Sequence, residues 1–308
     1  MNEQVERAPR AVTELPKQPL PEWPVGWYVV ARSHDLKPGK LLRVTLAQQE
    51  LVVFRTESGA LGALEARCPH MGAHLGQGRV RGEHLECGLH CWRIGTDGAV
   101  VGQTRHARAY TVRERCGLVM LESGGERPMP GAGESDFIWT TTPAIDVAAH
   151  WHALTANAFD MPHLATVHLR ELAEPPRVSF EPGRFFEMHY VTRVRGRGAS
   201  DRMMKWLSGN RVQARMQCHG PLVTVETDLG FTRTAAIIGM LPTAAGTRLN
   251  AAFGILPGPF GALRLWITRW LFAAFLKRDL GFVEGMRLRT DVDDAILQKY
   301  FAYLRTLR

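Results

Sequence analysis

From Trp27 onward the chain alternates short apolar runs, WYVVARS, LLRVTL and ELVVFRT, with polar breaks, and Pro38-Gly39, Ser58-Gly59 and Asp97-Gly98 supply turn signals. β-branched runs at this spacing predict an all-β domain over residues 25–122, with further strand content around Ala99 to Val112. Before it, residues 1–24 are polar and interrupted by proline, and read as an extended arm without a core of its own. After it, SGGERPMPGAGES at 123–135 is the predicted linker. The pattern then changes. Residues 144–170 have helical character, and runs near 184–196, 211–217, 222–229, 232–240 and 247–256 alternate as strands of an antiparallel sheet do. Helical character returns over the last fifty residues. The expected fold is therefore α+β: an all-β domain, then a second domain over 136–308 with an antiparallel sheet flanked by helices.

Composition supports two folded domains, with 308 residues, 45% hydrophobic and 22% charged. The first residues lack the apolar stretch of a signal peptide, so a cytoplasmic location is the expectation. A net charge of +8 is spread as scattered arginines, without a dense basic run, which argues against nucleic acid. It suits an acidic protein partner or an anionic membrane surface equally well. The most apolar segment, FGALRLWITRWLFAAFL at 260–276, is broken by Arg264 and Arg269. Each arginine would cost about 2.5–3.5 kcal/mol at a bilayer centre, so a membrane span is not expected. A core helix is the simpler reading, and a helix lying on a membrane surface through Trp266 and Trp270 is the alternative.

Three of the five cysteines fall within 68–91, which in a reducing compartment points to metal ligation rather than disulfides; Cys116 and Cys218 are expected to be buried bystanders. Cys68-x-His70 and Cys87-x2-His90, separated by 16 residues, offer one thiolate and one imidazole from each of two loops. By ligand type alone a 2Fe-2S cluster and a tetrahedral zinc site both fit. The wording CPHMG followed by CGLHCW resembles the Rieske motif, and the likeness runs through residues 27 to about 122. The resemblance implies a 2Fe-2S cluster held by Cys68, His70, Cys87 and His90. Two neutral imidazoles in place of thiolates raise its potential to roughly -150 to +300 mV, against about -400 mV for an all-cysteine cluster. Cys91 departs from the family, in which glycine often follows the second histidine.

Asp160-x2-His163-x4-His168 presents two imidazoles and a carboxylate, and two histidines with one further carboxylate would make a facial triad for non-haem Fe(II). On an ideal helix His163 and His168 point about 140° apart, so the helix must bend or end between them. The pattern is similar to the mononuclear-iron motif of Rieske oxygenases, whose third ligand is an aspartate near the C-terminus. Within TDVDDAILQK at 290–299 the resemblance favours Asp293, with Asp291 and Asp294 as alternatives. It also gives Asp160 a role, bridging His90 of one subunit to His163 of the next in a head-to-tail homotrimer. Physically, a carboxylate that accepts the second N–H of two ligand imidazoles would couple their metals.

The resemblance implies a terminal oxygenase component that uses O2 and mononuclear Fe(II) to hydroxylate, demethylate or desaturate an organic substrate. No G-x-G-x-x-G follows a strand, so electrons are expected from a ferredoxin or an NAD(P)H-dependent reductase. CPHMGAHLGQGRVRG is most similar to the branch of ketosteroid 9α-hydroxylases, cholesterol 7-desaturases and bacterial sterol C-4 demethylases, which implies an apolar polycyclic substrate. Alternatives are a monooxygenase or O-demethylase for a small aromatic or natural-product substrate, an electron carrier with a lipid-binding module, and a zinc-stabilised lipid-transfer protein.

Overall fold

The structure is a computed structural model that describes residues 20–124, 127–131, 136–230 and 232–307. Most of the predicted arm, and parts of the predicted linker, lie outside the described residues.

Nine short strands form three antiparallel sheets in the N-terminal half. The first sheet joins β1 (Trp27–Arg32), β9 (Leu118–Glu122) and β8 (Val112–Arg115). The second joins β2 (Leu41–Leu46), β3 (Gln49–Arg55) and β4 (Leu61–Glu65). The third, β5 (Arg79–Arg81), β6 (His84–Glu86) and β7 (Arg93–Ile94), underlies the second cysteine pair. Leu51 to Phe54 of β3 and all of β9 are buried, which explains why they read as continuous apolar runs. The strand content expected from Ala99 is confined to its end. Up to Thr111 only isolated bridges form, at Ala99–His106, Ile94–Val100 and Leu64–Ala109. Arg105 in this stretch donates to the carbonyls of Pro69 (2.9 Å) and His70 (3.0 Å), so the segment braces the first cysteine loop instead of extending a sheet.

The C-terminal half is built on a nine-stranded antiparallel sheet. Its long strands are β14 (Phe185–Val194), β15 (Val212–Cys218), β16 (Leu222–Asp228), β17 (Arg233–Thr243) and β18 (Gly246–Ile255), within a residue or three of the predicted runs. Four short strands were not legible in the pattern: β10 (Ile138–Thr141) and β11 (Ile145–Val147) on β18, and β12 (Arg170–Leu172) and β13 (Arg177–Glu181) on β14. The helical stretch resolves into α1 (Trp151–Phe159) and α2 (Met161–Thr166). An unpredicted helix α3 (Ala199–Ser208) lies between Gly198 and a left-handed Gly209, too short to establish a period. The chain closes with α4 (Gly261–Val283) and α5 (Ala295–Leu304). Tyr300 and Tyr303 anchor α5. The first donates to Thr155 of α1, and the second donates to the Cys218 carbonyl (2.9 Å) and accepts from Gly220 N–H (3.1 Å).

α4 is neither the expected core helix nor a span. Of its residues only Val283 is fully buried; the inner side covers a cavity, while Leu263, Trp266 and Trp270 stay 56%, 57% and 39% exposed. No helix among the described residues is long and apolar enough to cross a membrane.

The two halves share a core. Trp27, Val29, Leu118 and Met120 from the first pack against Leu222, Ile237 and Ala252 of the large sheet. The approach of β1 to β17 is so close that a Cβ at Gly239 would lie 2.2 Å from Val29 Cγ2. The chain entering β1 is tied to α1 as well: Trp151 Nε1 donates to the Glu22 carbonyl (3.0 Å) and His152 Nε2 to that of Pro21 (2.8 Å). Burial pushes His152 down to about 3, so the ring is neutral, and facing a carbonyl, Nε2 is the nitrogen that carries the hydrogen. Gly239→Ala is expected to cost about 1–3 kcal/mol by overpacking this seam, whereas Gly261→Ala, with open space around it, should stay within about 0.5 kcal/mol; thermal unfolding of the two variants compares them.

Candidate metal centres and their cavity

The two cysteine loops are built alike. Cys68 N–H donates to Ala73 O (2.9 Å) and Gly72 N–H back to Cys68 O (2.9 Å); Cys87 N–H donates to Trp92 O (2.8 Å) and Cys91 N–H back to Cys87 O (3.0 Å). The residue closing each turn is left-handed, Gly72 at φ +76° and Cys91 at φ +55°. Cys91 therefore occupies a position whose backbone favours glycine, which accounts for the family preference there. It is exposed, whereas Cys68 and Cys87 are 3% and 2% exposed. Among the described residues, the other two cysteines lie away from these loops: Cys218 is buried, with its thiol donating to Gly220 O, and Cys116 is half-buried on the shared core.

His70 and His90 meet edge to face, with ring centroids 4.6 Å apart, and His70 stacks on Trp92 at 4.3 Å. The thiols sit inside and His90 is exposed, so the histidine side of the site faces the surface, flanked by Met71 and Leu89. Burial pushes the Cys68 thiol up, and neighbouring Cys87 adds to this. His70 Nδ1 is buried with no hydrogen-bond partner among the described residues. Two adjacent buried thiols, facing imidazoles and an orphaned ring nitrogen are a donor set suited to a Rieske cluster. Behind Cys87, Glu86 is buried among Arg79 (2.7 Å), Arg93 (3.3 Å) and Arg81 (3.5 Å), and the Arg79 hydrogen bond holds its carboxyl below the usual range.

The second site forms where α1, α2 and α4 meet. Asp160 ends α1 and caps α2, accepting from His163 N–H at 3.3 Å. α2 stops at Thr166, and Leu169 is left-handed, so the chain leaves the helix before the second histidine, as the angular argument requires. His163 Nε2 and His168 Nε2 thereby come within 3.1 Å of each other. The third group is Asp279 of α4, whose Oδ1 lies 2.7 Å from both nitrogens. Asn157 Nδ2 stands 3.2 Å from His163 Nε2.

The structure does not bring Asp293 to the histidines. Asp293 is exposed between α4 and α5, Asp291 pairs with Arg289, and Asp294 caps α5 by accepting from Ile296 and Leu297 N–H. Asp279 stands in the place expected of Asp293. Its one sequence signal is a carboxylate just behind the apolar segment at 260–276, close to Phe275, Leu276 and Leu280.

Ligand atoms about 2.1 Å from a first-row metal and at right angles to one another lie about 3.0 Å apart. The triangle of 2.7, 2.7 and 3.1 Å matches one face of such an octahedron. Burial opposes charge on Asp279, but hydrogen bonds from His163 and His168 outweigh it and hold the carboxyl below the usual range. Burial pushes His168 down, which keeps its imidazole neutral and able to ligate, while its ring stacks on Phe275 at 3.5 Å. Arg278 ties α4 in place: it pairs with Asp201 of α3 through 3.0 and 3.2 Å contacts and reaches the His168 carbonyl at 3.4 Å.

Over the triad opens a cavity of about 310 Å³, between the sheet and α4. Ile238, Leu249, Phe253, Phe272 and Phe275 give it a mostly apolar wall.

A Rieske [2Fe-2S] domain model matches residues 26–114. The chain is 32% identical over 167 residues to the cholesterol 7-desaturase nvd of Bombyx mori, covering 49% of this chain and 37% of that protein. It is 30% identical over 166 residues to the oxygenase component of 3-ketosteroid-9-alpha-monooxygenase of Rhodococcus rhodochrous, covering 47% and 43% respectively. The matched stretch thus spans less than half of either relative. Dicamba monooxygenase bound to 3,6-dichlorosalicylic acid shares the fold, with a TM-score of 0.69 at 21% identity over 91% of this chain and 96% of that one. The chain thus carries a Rieske [2Fe-2S] domain at residues 26–114, within a whole-chain fold shared with dicamba monooxygenase, and its second half holds a His163, His168 and Asp279 cluster whose donors suit a mononuclear metal.

Proposed function

We propose that the chain is an oxygenase component acting on an apolar polycyclic substrate of sterol or steroid type, with electrons supplied through its cluster by a ferredoxin or reductase. The observation that carries this reading is the triad of His163, His168 and Asp279 opening into an apolar cavity. An electron carrier with a lipid-binding module would have no use for three metal ligands at that floor. Relatives named for cholesterol and ketosteroid support the substrate class. The residues divide the work. Cys68, His70, Cys87 and His90 would hold the cluster. His163, His168 and Asp279 would hold the iron by one face, and the apolar wall would keep water from the substrate. Iron bound there would supply the activation of O2.

The surface position of the cluster histidines supports a head-to-tail homotrimer in which His90 of one subunit meets Asp160 of the next. Beyond its cap bond, no hydrogen bond from a described residue reaches the Asp160 carboxylate, so it is available to accept an imidazole N–H. The exposed Leu263, Trp266 and Trp270, with Arg269 beside them, form the face proposed for peripheral contact with a membrane.

Asp279→Asn is expected to reduce the iron content from about three to about two per chain while leaving the visible absorption of the cluster intact, and Asp293→Asn should retain all three; equal loss in both variants would sink the ligand assignment. Asp160→Asn should keep both metals but lose about 10- to 100-fold in substrate-coupled turnover, because the link between metals is cut. Single-turnover reduction of O2 against cluster oxidation measures it, and unimpaired coupling overturns the bridging role. Dioxygen uptake with steroid and with aromatic panels tests the substrate class.

A further inference from the structure

Arg170 lies two residues beyond His168, at the start of β12, and lines the same cavity as the triad. It is 9% exposed, and its Nη1 is buried with no hydrogen-bond partner among the described residues. Every other charged group on that wall makes at least one hydrogen bond, although the Asp160 carboxylate keeps spare acceptor capacity. Asp279 faces both histidines, Asp160 caps α2, Asp201 is held by Arg278, and Arg264 donates to Thr232 Oγ1 at 2.9 Å. Asp201 attracts Arg170 from outside hydrogen-bond reach, and Tyr190, also near it, donates instead to Met216 Sδ at 3.4 Å.

A guanidinium cannot shed its proton to escape burial, so it needs an acceptor, and its planar fork matches a carboxylate best. Resting on the reading of this cavity as the substrate site, we propose that Arg170 anchors a carboxylate of the substrate, which makes the substrate an apolar acid and not a neutral sterol. The acid end would lie at Arg170 and the hydrocarbon against Ile238, Phe253 and Phe272, placing the apolar part beside the triad.

Calorimetric binding to the metal-loaded protein near neutral pH tests this, using cholanic acid, its methyl ester, cholestan-3-one, 2-naphthoate and methyl 2-naphthoate as probes. Cholanic acid should bind at least about tenfold tighter than its ester. Arg170→Gln should abolish that preference and Arg170→Lys keep part of it, with cluster absorption unchanged in both. Equal binding of acid and ester, a preference that survives in Arg170→Gln, tighter binding of the ketone, or binding of no probe would each overturn the anchor. If only naphthoate shows the Arg170-dependent preference over its ester, the anchor stands and the sterol or steroid reading falls. Should Arg170→Gln not fold, the acid and ester comparison in the native protein and in Arg170→Lys decides.

Discussion

Asp279 brings a negative charge from a surface helix to two imidazoles that lie 116 and 111 positions earlier in the chain. The arrangement is costly to desolvate and is useful only when all three groups converge. Much of the C-terminal half serves that convergence. α2 is capped by Asp160 at one end and broken before His168 at the other, which swings the second imidazole back toward the first. α4 is clamped by the Arg278–Asp201 pair and by the stacking of Phe275 on His168, which set where Asp279 arrives. The same helix forms one wall of the cavity, so the carboxylate of the triad and part of the cavity lining come from a single element.

The cluster site follows a different logic. Its ligands come in pairs from tight turns, and each turn fixes its own thiolate and imidazole through backbone hydrogen bonds before any long-range packing is needed. What the fold adds is the facing of the two turns, through β5–β7 and the Glu86 arginine cluster beneath the second loop and through Arg105 bracing the first. The thiols end up inside and the imidazole of His90 at the surface.

The seam between the halves shows how tightly the two are coupled. β1 packs into the large sheet so closely that a methyl at position 239 would press on Val29, and the segment before β1 is pinned to α1 by the Glu22 and Pro21 carbonyls. α1 in turn ends at Asp160, so the path from the first half to the second metal site is short and made of packed backbone.

Much of this was legible without coordinates. The alternation of apolar positions located the five long strands of the sheet, because side chains of period two record which face is buried. Strands of three or four residues and the short α3 carry too few positions to show a period. The pairing of Cys68 with His70 and of Cys87 with His90 on two turns was readable because it is local, and so was the need for the chain to break between His163 and His168, since helical angles follow from residue counts. Asp279 was not readable. Its partnership depends on how α4 crosses α2 over a gap of more than a hundred residues, and nothing in the spacing of a carboxylate along a helix encodes that. Asp293 was the nearer match to a pattern, but its loop leaves it in water. Arg170 likewise reads as one more scattered arginine until the fold encloses it beside an apolar cavity with no acceptor for Nη1. Local backbone rules thus determined the two cysteine loops, while the His163, His168 and Asp279 cluster, and the cavity it faces, were decided by which distant groups the packed helices force to share one small volume.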